Sequence, residues 1–373
     1  MSKRANGEGS IYQRKDGRWM GSITTGRDKK GKTIRKVVYG ITKTEVVKKL
    51  DNIKHDIHIG AYVEPDKMTV KEWLEYWLTC YKKIKLKPRT YDSYESISNT
   101  HIIPNIGTIK LQKLTNKDIQ LLYNKKYEEG MSGNYISKIN IVLKSSFKQA
   151  VLEGIIFKNP AENMQLPDIK KKDIKIFTKE EQKKFEETAQ QYSLYPAFIT
   201  NLDTGLRKSE ILALTWDDID FEKEELSVNK NLVIIKDRDR ETGIKTLIQD
   251  SSKTTNSKRI IPLTKRCVIL LKQLKLKQQA LSNIVFCSNV GTYISPRNYS
   301  RAFQKVLKRA KIEVCNVHTM RHNFATRLFE ANVPAKTISQ LLGHASVSFT
   351  MDTYTHVLPS TKKQAIELLE QMS

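Results

Sequence analysis

The spacing of apolar positions changes along the chain, and each change marks a new kind of structure. Between Gly9 and Tyr39 apolar and polar residues alternate weakly, as in strands: Gly9 to Arg14, Arg18 to Thr25 around Trp19, Gly21 and Ile23, and Thr33 to Tyr39. Asp16-Gly17 is a hairpin signal, and Lys29-Lys30-Gly31-Lys32 reads as a second turn. Thr42-Lys43-Thr44-Glu45 then has the form of a capping box. After it Val46, Val47, Leu50, Ile53 and Ile57 recur at helical spacing. This predicts a small three-stranded sheet backed by one helix.

Residues 59–68, with Glu64-Pro65-Asp66, read as a linker. From 69 to 163 the period is helical throughout. Thr69-Val70-Lys71-Glu72 is a second capping box, followed by Val70, Trp73, Leu74, Trp77, Leu78 and Tyr81 on one face. That spacing is that of a buried stripe, so these aromatics are expected in a core rather than on a base-stacking platform. Pro88 opens a second helix, Thr115 caps a third that ends near Gly130, and a fourth runs from Asn134 to Leu152 and stops at Gly154. Asn159-Pro160 closes the unit, and a charged connector, 168–177, follows. Beyond it, Thr178-Lys179-Glu180-Glu181 caps a helix, and Glu225 to Lys236 and Thr246 to Leu263 read as strands, with a hairpin turn near Thr255-Asn256-Ser257. Helical patterns resume at Arg297. The fold class expected is multi-domain α+β: a three-stranded sheet plus helix over 1–58, an all-helical domain over 66–163, and a mixed, mostly helical domain with a small antiparallel sheet over 174–373.

Charge adds a partner to this picture. Lys and Arg number 65 against 40 Asp and Glu, a formal charge of +25. Drift toward lysine alone would raise glutamate with it, so the excess points to a polyanion, nucleic acid first. The candidate phosphate contacts are Arg14, Arg18, Arg27, Lys29, Lys32 and Arg35 on the N-terminal sheet, and Lys83, Lys85, Lys87 and Arg89 between the first two helices of the second domain. No apolar run approaches the ~18 residues of a membrane span. The four cysteines are scattered without a CxxC pair, suggesting neither a zinc site nor a disulfide framework. A cytoplasmic, nucleic-acid-associated protein is the expectation, with no membrane partner and no metal or cofactor.

Four strings carry candidate chemistry. Thr204-Gly205-Leu206-Arg207-Lys208-Ser209-Glu210 places an arginine after a glycine turn, opening a helix. Ser252-Lys253-Thr254-Thr255 lies at the expected hairpin, with Lys258 five residues further on as a second candidate cation. His318-Thr319-Met320-Arg321-His322 sets His318 and Arg321 on one helix face. Leu341-Leu342-Gly343-His344 precedes Tyr354 by ten residues. Each is weak alone. In this order and spacing they resemble the active-site pattern of the tyrosine recombinases, also called the phage integrase family, at Arg207, Lys253, His318, Arg321, His344 and Tyr354, with no catalytic position substituted.

The chemistry asked of such a set is consistent with the residues. Tyrosine, with a pKa of about 10, needs help to attack a phosphodiester. Arg207 and Arg321 offer planar forks to nonbridging oxygens, His344 a further hydrogen bond, His318 a base for Tyr354, and Lys253 a proton for the leaving oxygen. Glu210 is expected to buttress the arginine rather than react. The resemblance implies a 3′-phosphotyrosyl intermediate without ATP, and makes the helical domain a core-binding domain and the N-terminal sheet an arm-site-binding domain. It also implies double-stranded DNA at attachment sites as substrate, a homotetramer exchanging C-terminal tails, an excision factor and a host DNA-bending protein as further partners. Residues 361–373 carry an apolar stripe (Ala365, Ile366, Leu368, Leu369, Met372) that suits such a tail. A resolvase, a type IB topoisomerase-like enzyme and a non-catalytic DNA-binding regulator stay open as alternatives at this point.

Overall fold

The alternating segment at the start of the chain becomes an antiparallel sheet, β1 (Ser10–Gln13), β2 (Trp19–Arg27) and β3 (Thr33–Gly40), with β2 in the middle. The computed structural model describes residues 9–27, 31–58, 62, 67–169, 175–238, 243–250, 258–279, 281–344, 346–354 and 370. Helix α1 (Lys43–His58) lies so close on the sheet that a Cβ at Gly21 would stand 2.6 Å from Val46 Cγ1. Glycine at that point lets Val46 and Leu50 reach Ile23, the buried centre of this small core. Arg14, Arg18, Lys32 and Arg35 are exposed around it, and the side chains of Arg27 and Lys29 lie outside the described residues.

Residues 1–170 form one compact unit and 171–373 another. The helical part of the first comprises α2 (Val70–Trp77), α3 (Pro88–Ile97), α4 (Ile103–Ile106), α5 (Asn116–Glu128) and α6 (Gly133–Leu152). Thr69 and Thr115 close full capping boxes with Glu72 and Asp118, and Pro88 sits in the first turn of α3, as the sequence predicts. The aromatic stripe is core: Trp73 and Trp77 are fully buried, and the Trp73 indole donates to Ser146 O at 3.2 Å. Two features were not anticipated. α2 and α3 run on into π-helical turns, Leu78–Lys82 and Ser98–Ile102, and α4 follows directly on the second. Lys83, Lys85 and Arg89 are exposed, while Lys87, which precedes the first turn of α3, is half-buried.

The second unit opens with α7 (Lys179–Ala189), α8 (Tyr195–Thr204) and the single turn α9 (Lys208–Ile211), and its strands depart from expectation. Glu225 to Lys236 reads as one apolar run, yet it divides at Asn229 between two sheets. β4 (Ile219–Asp220), β5 (Glu225–Val228) and β8 (Arg259–Pro262) form one; β6 (Lys230–Asp237) and β7 (Gly243–Asp250) form the other. The β6–β7 ladder runs from Lys230 opposite Asp250 to Asp237 opposite Gly243, so the second expected strand begins at Gly243 and not at Thr246, and the turn expected at 255–257 lies outside the described residues. Residues 251–257, including Lys253, lie outside the described residues.

A further helix, α10 (Lys265–Gln278), was missed because exposed Ile269 and Leu276 blur the stripe formed by buried Cys267, Val268 and Leu271. α11 (Pro296–Arg309), α12 (His318–Glu330), α13 (Ala335–Leu342) and α14 (Val347–Tyr354) complete the unit. Phe177, Phe185, Phe198, Tyr299 and Phe303 anchor its main core. A second, small cluster gathers Ala325, Phe329, Ile338, Leu342 and Tyr354 from the last three helices. Among the described residues no helix is long and apolar enough to cross a membrane. Of 361–373 only Glu370 is described.

Candidate active site

The end of α8 sets the first arginine. Gly205 takes φ 61°, and a Cβ there would come within 2.5 Å of Phe324 Cδ1, so the turn requires glycine twice over. Asn201 Nδ2 donates to Leu206 O at 2.8 Å and fixes the next peptide. Arg207 then caps α9: its backbone N–H donates to Glu210 Oε2 and its Nη1 to Glu210 Oε1, both at 2.8 Å. From β8, Arg259 donates to the same carboxylate through Nη2 at 2.8 Å and Nη1 at 3.2 Å. Glu210 is 3% exposed. Burial alone would raise its pKa, but Arg259, and after it Arg207, outweigh the burial and hold it at about 2. Glu210 is therefore an ionised brace between two arginines, the buttress expected of it.

The Leu341-Leu342-Gly343-His344 string acquires a physical meaning at the end of α13. Gly343 (φ 65°) stops the helix, with its N–H on Gln340 O at 3.0 Å and that of His344 on Ser339 O at 3.1 Å, a Schellman closure. Helix ends leave carbonyls without intrahelical partners, and here three successive ones each take an arginine. Arg259 Nε donates to Leu341 O at 2.7 Å, Arg321 Nη2 to Leu342 O at 2.7 Å, and Arg207 Nη2 to Gly343 O at 3.0 Å. Arg321 Nη1 also donates to Gly205 O at 2.8 Å, which ties α12 back to the turn before Arg207. The negative end of the α13 dipole favours this gathering of cations. Arg321 is 1% exposed; burial, then the Arg207 charge, weigh against its cation, but arginine keeps its proton in proteins. The Arg207 side chain is 37% exposed, so part of its fork faces solvent.

Helix α12 presents His318, Arg321 and His322 along one face. Tyr354, the last residue of α14, is 1% exposed and packs on Phe329 with ring centroids 5.6 Å apart. Its hydroxyl is hydrogen-bonded to His322 Nδ1 at 2.8 Å. The base expected for Tyr354, His318, instead stands edge-on to the His322 ring, with centroids 4.6 Å apart. One turn earlier on α14, Thr350 Oγ1 is hydrogen-bonded to His344 Nδ1 at 2.7 Å. Burial first, then the Arg321 and Arg207 cations, push His318 down to about 4 and His344 down to about 3, so both rings are neutral at neutral pH. Burial pushes the Tyr354 phenol up to about 12, against a smaller opposing pull from Arg321.

The structure thus brings Arg207, His318, Arg321, His344 and Tyr354 to the meeting point of α9, α12, α13 and α14. Lys253 lies outside the described residues; Lys258 is described and exposed, beside Arg259. Sequence reasoning passed over Arg259 and His322, though both lie inside the strings it singled out. Arg259 opens a strand that alternates outward Ile260 with inward Ile261, and His322 follows His318 by four residues, the spacing of one helix face. Among the described residues no group of three or more His, Cys, Asp or Glu is arranged to hold a metal ion.

The chain is similar to known proteins over most of its length. A profile described as the phage integrase family matches residues 169–361, and one described as a phage integrase N-terminal SAM-like domain matches 69–127. A protein of Caldanaerobacter subterraneus subsp. tengcongensis called tyrosine recombinase XerC-like is 35% identical, the match covering 94% of this chain and 95% of that protein. The ICEBs1 integrase of Bacillus subtilis is 29% identical over 80% of this chain and 81% of its own. Among solved structures, the Tn1549 transposon integrase in complex with a circular intermediate DNA shares the fold at a TM-score of 0.69 and 23% identity, covering 81% of this chain and 99% of that one. A lambda integrase tetramer bound to a Holliday junction does so at 0.60 and 20%, covering 90% and 95%.

Proposed function

The chain belongs to the phage integrase family of tyrosine recombinases, making it an enzyme of site-specific DNA strand breakage and rejoining, and from that premise we propose how its residues divide the work. Tyr354 is the nucleophile. Arg207 and Arg321 bind the nonbridging oxygens of the scissile phosphate, and their forks stabilise the charge that grows there during attack. His344 adds a neutral donor: its Nδ1 is paired with Thr350 Oγ1, and its ring proton is assigned to Nε2, where it can reach the phosphate. Lys253 supplies the proton for the 5′ oxygen that leaves. Energy is kept in a 3′-phosphotyrosyl link, so rejoining needs no nucleotide. The observation that carries this reading is the gathering of both arginines, both pattern histidines and Tyr354 around the end of α13.

DNA is held by the basic surfaces of the first unit, with 1–58 acting on arm sites and 66–163 on the core site, while 174–373 does the chemistry. Four protomers assemble on paired sites of a mobile element, and residues 361–373 pass from each protomer to the next; an excision factor and a host bending protein set direction. The test uses a supercoiled plasmid carrying two crossover sites located by footprinting. Recombinants should form with a metal chelator present and without ATP, and a chain ending at residue 360 should bind single sites yet yield none. Relaxation of plasmids lacking the site would instead favour a topoisomerase.

A further inference from the structure

The hydroxyl of Tyr354 has no solvent to take its proton. The residue is 1% exposed, and its ring is enclosed by Phe329 on one side and His322 on another, with centroids at 5.6 and 5.7 Å. Burial also makes the proton hard to lose: a phenol at about 12 is ionised in roughly one molecule per 10⁵ at neutral pH. Attack therefore needs a side chain already in contact with Oη. That contact is His322 Nδ1, at 2.8 Å, within the reach required of a general base. His318, the residue the pattern suggests for this task, stands behind it. Its ring meets that of His322 edge-on at 90°, a packing that fixes the tilt of the His322 ring.

We infer that His322 is the catalytic base of the reaction, accepting the Tyr354 proton at Nδ1, and that His318 acts as a positioning residue for it. The inference rests on the reading above that Tyr354 is the nucleophile. In cleavage, the Oη–H bond breaks and its proton passes to Nδ1. The freed electron pair forms the Oη–P bond, and the P–O5′ bond breaks with its pair going to O5′, which takes a proton from the general acid. Rejoining runs each transfer backwards: O5′ returns its proton to the acid and attacks phosphorus, Oη leaves, and His322 gives the proton back. The cationic ring forms just as negative charge accumulates on the phosphate bound by Arg321, its neighbour in sequence, so charge is conserved within the site. Nothing in this scheme asks His318 or His344, both held neutral by burial and the arginines, to become charged.

The test is His322→Asn. The Asn amide places a hydrogen-bonding atom near the position of Nδ1 but cannot take a proton, so a packing role would survive the exchange and a base role would not. With a nicked duplex of the crossover site that traps the covalent complex, His322→Asn should bind DNA as the unaltered protein does and form adduct about 10²- to 10⁴-fold more slowly. Replacing Tyr354 in that variant with a difluorotyrosine, whose phenol ionises more readily, should restore much of the loss. A substrate with sulfur at the bridging 5′ position, which leaves without a proton, should restore none. His322→Ala with added imidazole gives an independent arm and should recover part of the rate. Near-normal adduct formation by His322→Asn, failure of difluorotyrosine to restore it, or rescue by the sulfur substrate would each overturn the assignment. If instead the unaltered protein traps DNA at a residue other than Tyr354, it is the nucleophile assignment that fails, and the two failures are told apart by where the adduct maps.

Discussion

The arginines and the tyrosine of this site are held by different forces. Arg207, Arg259 and Arg321 are locked by an ionised, buried Glu210 and by the backbone carbonyls of Gly205 and residues 341–343. Tyr354 is held by its own bond to His322, by the Thr350–His344 bond one turn earlier, and by a small apolar cluster. Breaking a buried ion pair costs about 3–5 kcal/mol, whereas a neutral hydrogen bond contributes roughly 0.5–1.5 kcal/mol. The arginine cluster is thus bound more tightly into the second unit than α14, which carries Tyr354 at its end.

Arg321→Lys breaks the comparison most severely. Lysine retains the charge but cannot reach two carbonyls and still offer a fork to phosphate. Single-turnover cleavage should fall about 10²- to 10³-fold, and urea unfolding should show a loss of about 1–3 kcal/mol from the unpaired carbonyls. Arg207→Lys should match the kinetic loss with a smaller loss of stability, because that side chain is partly exposed.

Glu210→Gln separates the brace from the groups it holds. The folded pKa of Glu210 lies below its usual 4.5, so the carboxylate's stabilisation is full above 4.5 and disappears as pH falls toward about 2. A gap of that size corresponds to on the order of 3 kcal/mol. The variant should be less stable than the parent by that order at neutral pH, and its stability should lack this pH-dependent step in a series of unfolding curves. Cleavage should drop by roughly 10- to 10²-fold, since a misplaced cradle costs rate even when every reacting group remains.

Lys85→Ala should touch neither side of the comparison. The full protein is expected to lose ~10³–10⁵ in DNA affinity between about 50 and 200 mM salt. This single exposed lysine should reduce the slope of log affinity against log salt by about one, with the cleavage rate of bound DNA unchanged. Filter binding across a salt series reads the slope directly.

The candidate constellation, apart from Lys253, was legible because its residues sit at helix starts and stops that sequence marks plainly: the glycine before Arg207, the helical spacing from His318 to Arg321, the glycine before His344. The aromatic core around Trp73 and Trp77 was legible for the same reason, a clean period. What stayed hidden is non-local. Nothing along the chain announces that three arginines from three different elements would cap successive carbonyls of α13, or that Asn229 would divide one apolar run between two sheets. His322 and Arg259 were overlooked inside strings already singled out, because their partners, Tyr354 and Glu210, lie 32 and 49 residues away.

The central claim is that Tyr354, resting against His322, is the residue that joins to DNA. The direct measurement is to trap the protein on a nicked duplex of its crossover site, digest it, and locate the nucleotide-bearing peptide by mass spectrometry. The account predicts a single adduct on Tyr354, and for Tyr354→Phe no adduct at all with DNA binding intact. An adduct on any other residue, or one that persists in Tyr354→Phe, would contradict it.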